Sequence, residues 1–226
     1  MDQQELIARC RRVRLADASD ALDCLGCADR YLMSPRMRPL WEGIRFAGYA
    51  HTVKLLPSSR VVPAMSYEEY CRALGEMTDG CYTFVGTARA DEVLVVDAGG
   101  ANAGLFGSDV ALTLMQCGVV GMVIDGTCRD SCEIRLERAP VFATVRSCAH
   151  VIGRLQFGSD NEPISCAGVP VRPGDVVMAD DDGVLVVPRG LAEEAIVMAE
   201  DTLRLDKLSR RAKYEALGLP PDDSVA

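Results

Sequence analysis

Hydrophobic spacing along the chain switches between the helical period and the strand period several times. Apolar residues recur at helical spacing over residues 3–13, and "ASDALDCLG" predicts a second helix beginning at Ala18 or Ser19, with Ser19 as N-cap and Gly26 as stop. "IRFAGYAHTVKLL" (44–56) reads as a strand, and "SYEEYCRALGEMTDG" (66–80) as a helix capped by Ser66. "EVLVVDAGG" (92–100) is a nearly continuous apolar run, the pattern of a strand covered on both faces. A helix over 109–117 follows, ended by Gly118, and then a second buried strand, "VGMVIDG" (120–126). This strand–helix–strand order predicts a parallel pair joined by a right-handed crossover.

The rest of the pattern completes an α/β chain. "APVFATV" (139–145) is a short strand, and "PISCAGVPVRPGDVVMADDDGVLVVP" (163–188) gives several β segments punctuated by Pro-Gly-Asp and Asp-Asp-Gly turns. Residues 190–217 read as one long helix before a polar tail. No period of 20 to 50 residues repeats and no linker interrupts the pattern, so a single domain is expected. Its parts are N-terminal helices in 1–30, a core in 44–188 and the C-terminal helix.

Composition narrows the function classes. With 226 residues and 49% apolar content, a large core forms without disulfides or structural metals. The longest apolar runs, such as "GVVGMVI", are far too short to span a bilayer. The opening "MDQQELIARCRRVR" lacks the apolar middle of a secretory signal, so a cytoplasmic location is expected. A net charge of −9 without a basic block argues against a nucleic-acid partner. The ten cysteines are scattered among apolar neighbours and read as reduced, small buried side chains. Cys24 and Cys27 form a C-x-x-C at the end of a helix, with no second pair at zinc-site distance and only two isolated histidines, His51 and His150. Cys128 and Cys132 are candidate accessible thiols. "ADDDG" (179–183) reads as a hairpin turn in preference to a metal site.

One constellation carries chemistry. The strand ending at Asp97 runs into "AGGANAGLFGSD", a glycine-rich segment that opens a helix, and the next strand ends at "DGTCRD". In an open parallel sheet, the carboxyl ends of neighbouring strands share one crevice. Free backbone N–H groups at the helix start favour an anion. Arg129 adds a planar fork for a carboxylate or phosphate, and Asp130 a hard oxygen suited to Mg²⁺ or Mn²⁺. Together they predict a pocket for a small anionic molecule beside a divalent cation. An adjacent Arg–Asp pair also serves as turn decoration, and the glycine run has neither G-x-G-x-x-G nor P-loop spacing, so a nucleotide site is not supported.

"DASDAL", "GYAHTV", "DEVLVVDAGG", "FGSDVALTLMQCGVVGMVIDGTCRD" and "VPVRPGDVVMADDDGVLVVP" stand in an order that resembles the family of the regulator of ribonuclease activity A (RraA). That family includes the class II 4-hydroxy-4-methyl-2-oxoglutarate aldolases, which also decarboxylate oxaloacetate. The resemblance covers most of residues 16–188. It implies an α/β/β sandwich assembled as a homotrimer or homohexamer, with the active site near a subunit interface reached by a C-terminal-helix residue of a neighbour. It implies that Arg129 grips an oxo-acid and that Asp130 ligates Mg²⁺ or Mn²⁺ and orients a water. Gly107, Ser108, Asp109 and Val110 would offer N–H groups to the substrate carboxylate. The sequence departs from the pattern at Ser108, where the aldolases carry an aspartate; Asp109 follows one place late, about 100° around a helix, and stands as the catalytic candidate in its place, expected to reach the metal's water shell. The segment carrying "SYEEYCRALGEMTDGCYTF" is also longer than usual.

The reaction so implied is carbon–carbon cleavage of a 4-hydroxy-2-oxo acid, or decarboxylation of oxaloacetate, through a pyruvate enolate stabilised by the metal and Arg129. No lysine adjoins these motifs in sequence, which argues against a Schiff-base aldolase. The competing reading is a non-catalytic RraA-like protein that binds a partner such as a ribonuclease, with Ser108 as the mark of a degenerate site.

Overall fold

The computed structural model describes residues 1–27 and 30–225. In chain order its elements are α1 (Gln3–Cys10), α2 (Leu15–Cys24), β1 (Arg38–Pro39), β2 (Phe46–Pro57), α3 (Tyr67–Met77), β3 (Glu92–Phe106), α4 (Ser108–Gln116), β4 (Gly121–Cys128), α5 (Ser131–Leu136) and β5 (Val141–Arg146). β6 (Leu155–Asp160), β7 (Ile164–Cys166), β8 (Val169–Val171), β9 (Val176–Asp180), β10 (Gly183–Val187) and α6 (Ala192–Leu217) complete the chain. No described helix is long and apolar enough to cross a membrane.

The main sheet runs β1-β5-β4-β3-β2-β9-β10, with β6 paired to β2, and β7 and β8 form a separate hairpin. β2 through β5 are mutually parallel, and β1, β6 and β9 join antiparallel. Strand alternation decides where the core lies. Leu94 and Val96 of β3 and Met122 and Ile124 of β4 face the layer that contains Ala111 and Leu114 of α4. Val93, Val95 and Val123 face the β7–β8 hairpin, where Ile164, Cys166 and Val169 cover them. Both faces are dry, which is why these strands read as unbroken apolar runs. A third cluster packs α1, α2 and α6 on β9 and β10. Helices, the main sheet and the small hairpin form a mixed α/β sandwich.

Three boundaries differ from expectation. The second helix starts at Leu15, four residues before Ser19, because Asp17 accepts the Arg14 backbone N–H at 3.2 Å and the Arg14 guanidinium at 2.9 and 2.5 Å. An ionic capping box thus replaces the serine cap. The first helix ends at Cys10 and not Val13. The glycine-rich stretch after Asp97 is not a free loop: it continues β3 to Phe106, paired with β4 through three register shifts. Those shifts absorb the extra residues as bulges and re-aim the strand end. The Asp181–Asp182 turn is the expected hairpin, with Asp180 opposite Gly183. Residues 28 and 29, at the end of the expected N-terminal helical part, lie outside the described residues.

Candidate active site

β3 and β4 end side by side, Phe106 opposite Cys128, and the chain turns at Gly107 on one strand and Arg129 on the other. The Arg129 N–H donates to the Phe106 carbonyl at 2.8 Å, which fixes the two turns against each other. Asp130 takes the left-handed conformation (φ 54°) as the N-cap of α5. One of its oxygens, Oδ2, accepts the Ser108 N–H at 3.3 Å, and the other faces Arg129 Nε at 3.3 Å. Crowding requires the glycines here. A Cβ on Gly107 would lie 2.5 Å from Asp130 Oδ2, and one on Gly104 would lie 3.1 Å from Arg129 Cβ and Cδ and 2.6 Å from the Ala149 carbonyl.

These turns form the floor of an open pocket of about 600 Å³. Gly107, Asp109, Val110, Arg129 and Asp130 all line it, together with Leu105. Ser108 does not. Its hydroxyl donates to Glu137 Oε1 at 2.6 Å, and its backbone N–H, the group expected to meet a substrate, is taken here by Asp130 Oδ2 at 3.3 Å. Glu137 Oε2 is buried without a partner among the described residues. The early glycines, Gly99 and Gly100, are absent from the pocket lining as well; Gly99 N–H is held by Asp97 Oδ1 at 2.9 Å.

The walls were not legible in the sequence. α3 and the turn after it contribute Leu74, Thr78 and Tyr82, so the long segment over residues 66–86 covers the site. Its root is the fully buried Phe84, which packs edge-on against Phe106 at 6.3 Å. His150, the residue that stood isolated in the sequence, also lines the pocket. Its Nδ1 accepts the Ile152 N–H at 3.3 Å, which assigns the proton of the neutral ring to Nε2. Burial, and then the charge of Arg129, lower its pKa from 6.5. Burial also pushes the Tyr82 phenol up to about 12, so it stays a neutral donor. One weak signal for His150 was available: it is one of two histidines in 226 residues. His51, the other, sits between Glu92 at 2.9 Å and Asp160 at 2.6 Å and ties β2, β3 and β6 together.

Electrostatically the floor is open for use. The Arg129–Asp130 pair is about one-third exposed on each side, with its atoms 3.3 Å apart, a geometry that contributes at most about 1 kcal/mol. Neither charge is spent on the other. Among the described residues no group of three or more His, Cys, Asp or Glu is placed to hold a metal ion. The donor set is one hard carboxylate, Asp130, with Asp109 on the rim. That fits a largely hydrated Mg²⁺ or Mn²⁺ and does not fit a zinc cage. The first-turn N–H groups of Asp109 and Val110 lie at a helix start whose cap residue, Gly107, has no side chain to satisfy them.

Two further expectations change. Cys128 is buried and its thiol donates to the Phe106 carbonyl at 3.2 Å; burial raises its pKa to about 12, so it is no accessible thiol, whereas Cys132 is exposed. Lys54, distant in sequence, does approach the middle of β3, where its ammonium pairs with Asp97, but it does not line the pocket.

A family model described as RraA-like, Aldolase/RraA, matches residues 15–186. The chain is 31% identical over 218 residues to a protein of Halalkalibacterium halodurans provisionally named a 4-hydroxy-4-methyl-2-oxoglutarate aldolase, covering 94% of this chain and 91% of that one. A protein of Burkholderia mallei with the same provisional name is 32% identical over 182 residues, covering 79% and 96%. Among solved structures it is similar to RraAS2 of Streptomyces coelicolor, described as an unusual member of the RNase ES inhibitor RraA family. That likeness has a TM-score of 0.76 and 29% identity, and it covers 93% of this chain and 97% of RraAS2.

Proposed function

Because the chain belongs to the RraA-like family, we propose that its pocket is the site of a lyase that cleaves a carbon–carbon bond of a small oxo-acid. The observation that carries the proposal is the convergence of Arg129, Asp130 and the Gly107–Val110 turn on one pocket walled by neutral groups. The substrate class follows from that chemistry. The Arg129 guanidinium presents paired donors to the substrate carboxylate. The N–H groups of Asp109 and Val110, at the positive end of α4, face the same anion.

Cleavage of a 4-hydroxy-2-oxo acid, or loss of CO₂ from oxaloacetate, leaves negative charge on the pyruvyl fragment. Arg129 stabilises that charge as it develops, in a site that Leu74, Tyr82 and Leu105 partly screen from water. Asp130 holds a water on the pocket side, and that water takes the hydroxyl proton in the aldol case. His150, neutral and with Nε2–H, is a donor to the enolate oxygen, and the water at Asp130 returns a proton to the enolate carbon to complete pyruvate. A divalent cation at Asp130 would polarise the 2-oxo group as a Lewis acid.

The test is pyruvate release from oxaloacetate and from branched 4-hydroxy-2-oxo acids, with Mg²⁺ or Mn²⁺ and with chelator. Turnover restored by added cation supports the reading. Rates equal to the buffer blank under every condition overturn it. A second reading, a non-catalytic RraA-like protein that regulates a protein partner, is favoured by one observation: the residue in the place of the aldolase aspartate, Ser108, is turned toward Glu137.

A further inference from the structure

We propose that the cleft between β1 and the α5–β5 turn is a second anion site, suited to a small, multiply charged phosphate or carboxylate. Four arginines from four places meet in this open cleft of about 810 Å³: Arg38 on β1, Arg135 on α5, Arg138 in the following turn, and Arg146 at the end of β5. The chain carries 33 acidic and 24 basic side chains, so carboxylates are in excess. Some arginines elsewhere pair with them, among them Arg9 with Glu200, Arg11 with Asp91, Arg14 with Asp17 and Arg60 with Asp79, but no other cavity among the described residues gathers four that do not. None of the four cleft arginines has a carboxylate at ion-pair distance among the described residues.

What they do touch holds them in place without neutralising them. Arg146 Nη2 donates to the Pro39 carbonyl at 2.8 Å, and Arg38 Nη1 to the Asp182 carbonyl at 3.4 Å. Arg138 lies over the Trp41 ring at 4.7 Å, and Trp41 is fixed in turn by its indole N–H on the Ala139 carbonyl at 2.8 Å. Arg138 also adopts a left-handed backbone (φ 57°), a conformation that bulky side chains avoid unless the surroundings impose it. Glu42 and Asp181 also line the cleft, two carboxylates against four guanidiniums, and Asp181 is engaged by the Gly43 N–H at 2.7 Å. The cleft is therefore a positive concavity on a negative molecule.

That setting chooses the ligand. Guanidiniums clustered in one concavity match planar, multivalent oxyanions. A long polyanion would extend onto a surface of net charge −9 and be repelled, so the ligand is compact. The cleft is separate from the pocket above: none of its four arginines lines that pocket, and α5 stands between, with Asp130 at its start and Arg135 near its end.

The experiment is isothermal titration calorimetry of the whole chain with inorganic pyrophosphate and, separately, with citrate, at low and high sodium chloride. One-to-one binding is expected, weakened by salt and weakened at least about tenfold by Arg135→Gln combined with Arg138→Gln. Tighter binding of pyrophosphate assigns the ligand to phosphates, and tighter binding of citrate to carboxylates. Arg135→Gln alone keeps the test valid should the double variant unfold, because Arg135 is exposed and its side chain makes no hydrogen bond among the described residues. Three results would overturn the proposal: no binding of either probe, equal weakening by Arg36→Gln outside the cleft, or loss on Arg129→Gln with retention in the cleft variants. A change of assembly mass in the cleft variants with unchanged anion affinity would also overturn it, assigning the cleft to subunit contact.

Discussion

Asp130 Oδ2 rests so close over Gly107 that a methyl group on that glycine would stand 2.5 Å away. The carboxylate and the glycine come from different strands, so the contact locks the start of α4 to the start of α5. Gly107→Ala is therefore expected to push the Asp130 side chain out of place. Its φ of −116° is open to alanine, so the cost is steric, roughly 1–3 kcal/mol. Thermal unfolding should show that loss, and pyruvate formation should fall further than the loss of folded protein explains.

Asp130→Asn separates charge from shape. Asparagine tolerates the left-handed backbone at this position, so the fold should persist with a nearly unchanged unfolding temperature. Removal of one preorganised charge at a developing transition state typically costs about 10² to 10³ in rate. Steady-state turnover with saturating Mg²⁺ checks it, and an unchanged kcat would remove Asp130 from the chemistry.

Ser108→Asp looks like a simple restoration of the aldolase pattern, but the structure predicts otherwise. The Ser108 hydroxyl lies 2.6 Å from Glu137 Oε1, so a carboxylate there meets another carboxylate. Two such groups cannot both ionise at that distance. The single variant should lose roughly 1–3 kcal/mol without tighter Mg²⁺ binding, and adding Glu137→Gln should recover the stability. Calorimetric unfolding and Mg²⁺ titration of both variants decide it.

His150 gives the protein a pH signature. Its pKa is lowered from 6.5 in the folded state, mainly by burial and next by Arg129. Below 6.5 the unfolded chain takes up the proton more readily than the folded one, so stability is full above that value and declines as pH falls toward the folded pKa. Protonation at Nδ1 also breaks the bond from Ile152. His150→Gln should flatten the fall of the unfolding temperature as pH drops below 6.5, relative to the parent. Parallel slopes in the two proteins would contradict the assignment.

Thiol labelling discriminates the two cysteines that flank the Arg–Asp pair. Cys132 is exposed and should react with a maleimide in the folded protein. Cys128 is buried with its pKa raised to about 12, and should react only after denaturation. Peptide mass mapping reads both.

The strands and the floor of the site were legible because their signals are local. Leu94 and Val96 alternate with Val93 and Val95, and an unbroken apolar run has few structural solutions. Arg129 and Asp130 follow directly on such a run, which puts them at a strand end by adjacency alone. The contact of the Ser108 hydroxyl was not legible because its partner, Glu137, lies 29 positions away, and nothing near Ser108 in sequence signals it. The start of α2 was misplaced for a related reason: the serine cap rule competed with an Arg14–Asp17 pair whose strength depends on Asp17 being buried. The glycines after Asp97 suggested a loop, and only the pairing with β4 shows that a bulged strand can accommodate them.

α3 buries only Met77 and begins with a self-contained Ser66–Glu69 capping box, yet it supplies part of the wall over the pocket. Floor and wall are thus held by different means: the floor by a close-packed parallel sheet, the wall by its foot, where Met77, Cys81 and Phe84 are buried and the Asp79 carbonyl takes the Phe157 N–H of β6 at 2.9 Å. Such an arrangement makes the two parts separable. Residues 66–76, which bury no side chain, can change without disturbing the strand ends, so the depth and greasiness of the opening are free to vary while the charged pair beneath stays fixed. A graft of this helix into a relative with a shorter segment should carry the choice of the substrate's far end with it, leaving the bond-breaking step in the recipient's hands.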